Sequence, residues 1–267
     1  AGLYIHIPFC VRKCRYCDFC SVAGADAGLR SRFLQALDAE LQGLPEGFAP
    51  QTIFIGGGTP TFLSAAELRQ LFDSVKRRVD VGKVTEWSCE ANPGTLDWEK
   101  AQLLREAGVN RVSLGVQSFD PSNLAFLGRI HSSTEAKDAY QLLRDADFEN
   151  INVDLMYGIP SSSREILDRD LALIVNLDPE HIACYCLMFE KGTELARLRD
   201  AGSVTEVEDE EELDQYQLIR ETLGRAGYRH YEISNFAKPG YACQHNLLYW
   251  SGGDYIGCGP AAHSHWD

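Results

Sequence analysis

The chain of 267 residues is 45% hydrophobic and has a formal net charge of −14, from 25 Lys and Arg against 39 Asp and Glu. This length supports one substantial core, and the acidic balance argues against nucleic acid or an anionic membrane surface as the main partner. No apolar run reaches the roughly 18 residues of a membrane helix and no signal peptide is evident, so we expect a cytoplasmic protein without an integral membrane segment.

Short β-branched or aromatic runs alternate with longer amphipathic runs, which is typical of repeated βα units around a parallel sheet. Six strands are predicted, at 3–9, 52–58, 85–92, 111–117, 151–158 and 181–188. Helices are predicted between them, several with Ser, Asp or Thr at the N-cap, at 28–43, 64–78, 97–107, 133–145 and 163–176. The pattern predicts an α/β fold.

The pattern changes after the sixth strand. An acidic run at 206–213 leads a helix to about 226, where its carboxylates suit the positive end of the helix dipole. The tail beyond it, rich in Gly and aromatic residues, is predicted to be irregular. Since no low-complexity linker interrupts the series, we predict a core at 1–200 with 201–267 packed on the same domain.

Polar or Gly-rich residues gather at the C-terminal ends of the predicted strands. They are Cys10, Gly56 to Thr59, Glu90, Asn92, Gln117 and Asp154. In parallel βα barrels this end binds ligands, because its loops vary while the barrel stays packed. Each residue alone could cap a helix or fill a turn, but together they predict a ligand site.

Four of the nine cysteines, Cys10, Cys14, Cys17 and Cys20, lie within residues 1–20. In a reducing compartment such thiols are more often metal ligands than disulfides. Cys-x3-Cys-x2-Cys at 10, 14 and 17 supplies three ligands, whereas structural zinc usually takes four. Three thiolates suit a [4Fe-4S] cluster that keeps one iron open for a substrate or cofactor. A structural zinc protein remains the alternative from another class.

The cysteine motif, with Tyr16 before its last cysteine, resembles that of the radical SAM superfamily. Other segments resemble the family that contains oxygen-independent coproporphyrinogen III oxidase and the HemW group of heme chaperones, most closely the chaperones. The resemblance covers residues 3–265 and implies an incomplete parallel (β/α)6 TIM-like barrel. The matching segments are YIHIPFC, IFIGGGTP, CEANPGT, GVNRVSLGVQSF, LGRIH, INVDLMYGIP, HYEISNFAKPGY and HNLLYW.

This resemblance implies that Cys10, Cys14 and Cys17 ligate the cluster, whose open iron is chelated by the amine and carboxylate of S-adenosylmethionine. Glu90 would accept ribose hydroxyls, and bare N–H groups of the Gly loop would approach the cofactor's carboxylate. One or two S-adenosylmethionine molecules are compatible with it. The implied contacts are Tyr4, Gly58, Thr59 and Glu90 for the first molecule and Tyr16, Gln117, Arg129 and Asp154 for the second.

The resemblance also implies that an electron donor reduces the cluster, and that the cofactor's C5′–S bond then breaks homolytically to give a 5′-deoxyadenosyl radical. The cofactor supplies that chemistry, while the protein supplies a dry barrel. Tyr4, His6 and Pro8 alternate with Ile5, Ile7 and Phe9. The first strand is therefore expected to turn one face to the barrel lumen and the other to the helices.

The segment HNLLYW at 245–250 fits the HNxxYW pattern that this resemblance associates with the chaperones and not with the oxidases. His245 is proposed there as a heme ligand, and imidazole is a common axial ligand of heme iron. Tyr249 and Trp250 could pack on a porphyrin face. The alternative is that His245 and Trp250 close the open end of the barrel. His263 and His265 are further candidates without an assigned role.

Two departures from the oxidase matter. The oxidase has a fourth cysteine where this chain has Phe19, and the extra thiol here, Cys20, comes one residue later. We expect that Cys20 does not ligate the cluster, because a fourth cysteine ligand would occupy the open coordination site of the iron. The relatives continue as a C-terminal domain, which we expect to be absent.

The remaining thiols are assigned no site. Cys184 and Cys186 share a strand face that could point into the lumen, although buried cysteine is common as a small hydrophobic residue. We expect structural roles for Cys89, Cys243 and Cys258.

The sequence thus predicts a radical SAM protein acting in heme trafficking, with heme as cargo and possible exchange with a heme-accepting protein. The rival is radical oxidative decarboxylation of coproporphyrinogen III to protoporphyrinogen IX in porphyrin biosynthesis. Cleavage of S-adenosylmethionine is expected under both interpretations. Whether the chain is a coproporphyrinogen III dehydrogenase stays open.

Overall fold

A computed structural model describes residues 1–160 and 162–266. In chain order its strands are β1 (Gly2–Ile7), β2 (Phe9–Cys10), β3 (Val22–Ala23), β4 (Thr52–Gly57), β5 (Glu86–Ala91), β6 (Arg111–Gln117), β7 (Ile151–Tyr157), β8 (His181–Cys186), β9 (Arg229–His230), β10 (Asn235–Ala237) and β11 (Tyr255–Cys258). The helices are α1 (Ala27–Leu41), α2 (Ala65–Lys76), α3 (Trp98–Ala107), α4 (Pro121–Leu127), α5 (Ser133–Asp145), α6 (Arg164–Leu177), α7 (Glu194–Asp200), α8 (Asp209–Arg225) and α9 (Gln244–Trp250).

The main sheet has the strand order β11-β1-β4-β5-β6-β7-β8-β10-β9. The strands β1, β4, β5, β6, β7 and β8 of this sheet are all parallel to one another. Each connection between these strands from β4 onward contains a helix. These are the six predicted strands, and the predicted α/β fold with an incomplete parallel barrel is confirmed. Because the strands are parallel, their C-terminal ends share one edge of the barrel.

Local sequence signals fix the ends of the helices. Ser64 and Ser132 each form a capping box, with Glu67 and Glu135 respectively. Such reciprocal bonds satisfy backbone N–H groups that a helix start leaves free. The acidic run was predicted to lie at a helix N-terminus, and the first turn of α8 does hold four consecutive acidic residues, 209–212.

The prediction of an irregular tail was wrong. β11 pairs parallel with β1, while β10 pairs antiparallel with β8 and with β9, so the tail extends both edges of the barrel sheet. These strands have two to four residues and α9 has seven. Segments this short are ordered by their partners and carry little periodicity of their own. The division at residue 200 stays a prediction, and Asp267 lies outside the described residues.

The barrel strands separate an apolar layer from a polar lumen. Ile5 and Ile7 are fully buried in the hydrophobic core, while Tyr4 lines a cavity, so the predicted two-faced first strand is confirmed. Cys184 also lies in this core, whereas Tyr185 and Cys186 line the cavity. The lumen orientation considered for the two cysteines is therefore wrong for Cys184, while Cys186 does reach the cavity. None of the described helices has the length and apolarity to cross a membrane.

Candidate functional site

Two adjoining cavities occupy the barrel and its C-terminal edge, with volumes of about 430 Å³ and about 140 Å³. The residues that line both are Tyr16, Cys17, Phe19, Glu90, Ser113, Gln117 and Asp154. Every residue assigned to the cluster, to S-adenosylmethionine or to heme iron from the sequence lines at least one of them, whereas Gly56, Trp250, His263 and His265 are not among the described residues that line either. The smaller cavity adds Cys10, Cys14, Gly58, Thr59 and Arg129, and the larger one adds Tyr4 and His245.

The cysteine loop is held against the barrel by backbone contacts. Cys10 ends β2, and its carbonyl accepts from the Gly24 N–H at 2.9 Å. The Cys17 N–H donates to the Cys14 carbonyl at 3.2 Å, which closes a turn between two of the three thiols. The Arg15 N–H donates to the Leu127 carbonyl at 3.1 Å, at the end of α4. The loop thus presents Cys10, Cys14 and Cys17 to one cavity.

Cys20 does not share that position. Its side chain is exposed, and it is absent from the described residues that line either cavity. Its carbonyl accepts a hydrogen bond from His6 Nε2 at 2.7 Å, which leaves His6 Nδ1 to accept from the Tyr4 hydroxyl at 3.1 Å. The fourth thiol therefore belongs to a segment that packs on β1, apart from the other three.

Three thiols line one cavity, which matches a cluster with three cysteine ligands. Within residues 1–160 and 162–266, no three His, Cys, Asp or Glu side chains form a group that could hold a single metal ion. Cysteines of an iron–sulfur cluster each bind a different iron and stand further apart. Burial raises the pKa of Cys10 and raises that of Cys17 to about 11. Both thiols must lose a proton on ligation, so metal binding and deprotonation are coupled.

Two side chains donate hydrogen bonds to these sulfurs. Thr59 Oγ1 donates to Cys10 Sγ at 3.6 Å, and Arg129 Nη1 donates to Cys14 Sγ at 3.3 Å. Such donors stabilise thiolate charge and tune a cluster's potential. Arg129 Nη1 also lies 3.5 Å from the Tyr16 hydroxyl, and Nη2 donates to the Gly115 carbonyl. Arg129 is therefore a buried cation fixed beside the cysteine loop.

The Gly loop after β4 differs from expectation in one respect. The N–H groups of Gly57, Gly58 and Thr59 donate to Glu90 Oε2 at 3.1 Å, to the Ile7 carbonyl at 2.8 Å and to the Phe9 carbonyl at 2.7 Å. These N–H groups are hydrogen-bonded within the protein rather than bare as expected, and their approach to a cofactor carboxylate stays a prediction. A Cβ on Gly58 would lie 2.7 Å from the Phe9 carbonyl oxygen. Glycine is needed here for close contact with the cysteine segment.

Two half-buried carboxyl groups lie where the cavities meet. Burial, and secondarily the charge of Asp154, raises the pKa of Glu90 to about 7. Burial also raises the pKa of Asp154 to about 6, although Asn152 Nδ2 donates to it at 2.6 Å. Gly56 makes room for Glu90, since a Cβ there would lie 2.9 Å from its carboxyl carbon. The pair can hold a proton near neutral pH.

Gln117 lies at the irregular end of β6. Its φ of 71° falls in the left-handed region, and the pairing register with β7 shifts between Gly115 and Gln117. A non-glycine residue in this conformation costs on the order of 1 kcal/mol and is often found at functional sites. The bulge brings Gln117 to the lining of both cavities.

The HNxxYW segment forms α9 and covers the opposite, N-terminal end of the barrel. His245 is only 1% exposed, and its Nδ1 and Nε2 are hydrogen-bonded to Thr52 Oγ1 at 2.8 Å and to the Tyr249 hydroxyl at 3.0 Å. Its backbone N–H donates to Glu86 at 3.1 Å. Trp250 is 70% exposed. The geometry favours closure of the barrel by His245 over iron ligation, since both ring nitrogens are engaged.

Sequence reasoning missed the apolar mouth and the charged floor of the larger cavity. Phe19 and Met188 are each 63% exposed yet line it, together with Tyr185. Arg111 lines it from the first position of β6. The alternation of Arg111, Ser113, Gly115 and Gln117 along one strand face could have revealed the arginine. Met188 carries no sequence signal, because it lies outside regular elements, and the sequence marks Phe19 only as the residue in place of the oxidase's fourth cysteine.

Comparison with known families and proteins shows which of them the chain resembles. A profile of the Radical SAM superfamily matches residues 4–174. The chain is 42% identical to "Heme chaperone HemW" of Escherichia coli (strain K12), covering 98% of this chain and 69% of that protein. It is 38% identical to the protein of the same name from Bacillus subtilis (strain 168), covering 98% and 70%.

Among solved structures, the chain superposes on coproporphyrinogen III oxidase (HemN) from Escherichia coli with a TM-score of 0.86 and 23% identity. That match covers 99% of this chain and 64% of the oxidase chain. The radical S-adenosylmethionine methyltransferase TsrM from Kitasatospora setae, with cobalamin and a [4Fe-4S] cluster bound, gives a TM-score of 0.53 at 18% identity over 73% of this chain and 38% of that one. At such identities these likenesses concern the fold.

Proposed function

Since the chain belongs to the radical SAM superfamily and, within it, to the HemW family, we propose that it is a heme chaperone with a [4Fe-4S] cluster and S-adenosylmethionine. The observation that carries the proposal is the joining of two cavities, one lined by Cys10, Cys14 and Cys17 and the other apolar at its mouth. Such a cluster, when reduced, supplies an electron that cleaves bound S-adenosylmethionine. An electron donor and a heme-accepting protein complete the proposal.

The three cysteines would hold the cluster, and Cys20 would leave its fourth iron open. Glu90 would accept from the ribose, because Gly57 occupies only its Oε2. With their N–H groups used, Gly58 and Thr59 offer carbonyl oxygens, which accept from an ammonium group. Tyr4 would contact the same molecule from the barrel wall.

The residues that the resemblance assigns to a second S-adenosylmethionine also lie close together. Tyr16, Gln117 and Asp154 line both cavities, and Arg129 lines the smaller one. Arg129 is already bonded to Cys14 and Gly115. It is thus committed to the cysteine loop, which favours one cofactor molecule. A second S-adenosylmethionine would have to displace the hydrogen bonds of Arg129 to Cys14 and Gly115.

Heme would enter at the mouth formed by Phe19, Tyr185 and Met188, where aromatic and thioether side chains suit a flat apolar ring. His245 lines the same cavity from the floor, but both its ring nitrogens are paired. In this proposal it closes the barrel. A role as iron ligand would require the bond to Tyr249 to break.

The test uses the anaerobically reconstituted chain in two assays. Hemin titration followed by absorbance should give saturable binding near one equivalent. Incubation with coproporphyrinogen III, reductant and S-adenosylmethionine should give no protoporphyrinogen IX, while 5′-deoxyadenosine is measured with and without each tetrapyrrole. Turnover to protoporphyrinogen IX would establish the oxidase instead. Absence of hemin binding would remove the chaperone function.

A further inference from the structure

Arg111 lies at the floor of the larger cavity with most of its hydrogen-bonding capacity unused. It is 2% exposed, and its Nε has no partner among the described residues. Its Nη1 makes one long bond, 3.5 Å, to Ser88 Oγ. A guanidinium has five N–H donors, and a buried charge without good partners is costly. The fold therefore maintains a buried cation most of whose N–H donors have no partner among the described residues.

One candidate counter-ion inside the protein, Glu86, is already engaged. Glu86 is buried, and its carboxylate accepts from the N–H groups of Gln244 at 2.9 Å and His245 at 3.1 Å. It also lies 3.5 Å from Cys243 Sγ. These bonds cap the start of α9, so Glu86 serves the floor helix and forms no ion pair with Arg111 among the described contacts.

Arg111 is the one Lys or Arg among the described residues that line the cavity. The rest of the lining includes the apolar Phe19 and Met188 and the acidic Asp18, Glu90, Asp154 and Glu190. A ligand with an apolar body and an acidic end would thus find its one cationic partner at Arg111. Arg is well suited to carboxylates because its fork binds both oxygens.

We propose that Arg111 is the carboxylate-binding residue of the barrel and receives a propionate of the tetrapyrrole. This inference rests on the proposed function, and heme combines an apolar macrocycle with carboxylate arms on one edge. A charge-assisted hydrogen bond contributes roughly 1.5–3 kcal/mol. Loss of this contact should therefore weaken binding by about tenfold to a hundredfold.

The experiment compares hemin with hemin dimethyl ester on the cluster-loaded chain by absorbance titration. The wild type should bind hemin about tenfold to a hundredfold more tightly than the ester. Arg111→Met should bind hemin as weakly as the wild type binds the ester, with no preference left between them. Arg111→Lys should keep part of the preference, and Arg220→Met, at an exposed position, should keep all of it.

The outcomes separate this inference from the function on which it rests. Equal affinity of the wild type for hemin and ester would overturn the role of Arg111 while leaving heme binding intact. A full preference in Arg111→Met would do the same. The wild-type comparison needs no variant, so it decides even if Arg111→Met fails to fold. Binding of neither compound would overturn the proposed function, and this inference with it.

Discussion

His245→Ala separates barrel closure from heme ligation. The side chain is 1% exposed and has hydrogen bonds at 2.8 Å to Thr52 and 3.0 Å to Tyr249. Losing two such bonds costs about 2 kcal/mol, and the void left by the ring adds roughly 1–2 kcal/mol. We expect the free energy of unfolding to fall by about 3–4 kcal/mol without any heme present.

The assay is urea unfolding of the anaerobic chain, followed by circular dichroism. His263→Ala is the matched control, since this histidine is exposed, and its effect should stay within about 0.5 kcal/mol. Tyr249→Phe removes one of the two bonds and should cost about 1 kcal/mol. If His245→Ala unfolds like His263→Ala while hemin binding disappears, then His245 is a heme ligand and closure of the barrel is not its function.

Three further predictions concern the cofactor cavity. Because burial raises the pKa of Glu90 from 4.5 to about 7, the native state retains a proton that the unfolded chain loses, and stability falls as pH rises through that window. Glu90→Gln should thus be more stable than the wild type at pH 8, by up to about 3 kcal/mol, as measured by urea unfolding. This gain in stability should shrink toward pH 5, and a gain that does not depend on pH would contradict the raised pKa. Arg129→Met removes a cationic donor to Cys14 and should lower the cluster's midpoint potential in an EPR-monitored redox titration, whereas an unchanged midpoint would deny that contact. Gly58→Ala should reduce the iron bound per chain, because the new Cβ would meet the Phe9 carbonyl. The control Gly224→Ala has open space around its Cβ and should bind as much iron as the wild type. Equal iron in the two variants would refute the close packing of this loop.

The barrel was predictable because its signals are local. Strands such as β7 are apolar runs interrupted by polar lumen residues, here Asn152 and Asp154. Helix starts carry their own caps, as at Ser64 and Ser132. The edge strands β10 and β11 have no such signal, since three or four residues become a strand only when β8 or β1 offers a partner.

The candidate site, like the fold, was predictable from the sequence only in part. The cysteine spacing and the polar residues at strand ends identify its lining, because position on a strand determines which edge a residue reaches. The use of the Gly57 to Thr59 N–H groups and the engagement of both His245 nitrogens depend on contacts between distant segments. Those contacts show that the Gly-loop N–H groups are not bare and favour closure of the barrel by His245.

The central claim is that three cysteines hold a [4Fe-4S] cluster with one iron open to S-adenosylmethionine. The direct measurement is iron and sulfide analysis with EPR of the reduced cluster, before and after adding S-adenosylmethionine, in the wild type, Cys20→Ser and Cys14→Ser. The wild type and Cys20→Ser should contain equal cluster and show the same spectral change with S-adenosylmethionine, while Cys14→Ser loses the cluster. Loss of the cluster in Cys20→Ser, or a wild-type spectrum that ignores S-adenosylmethionine, would contradict the account.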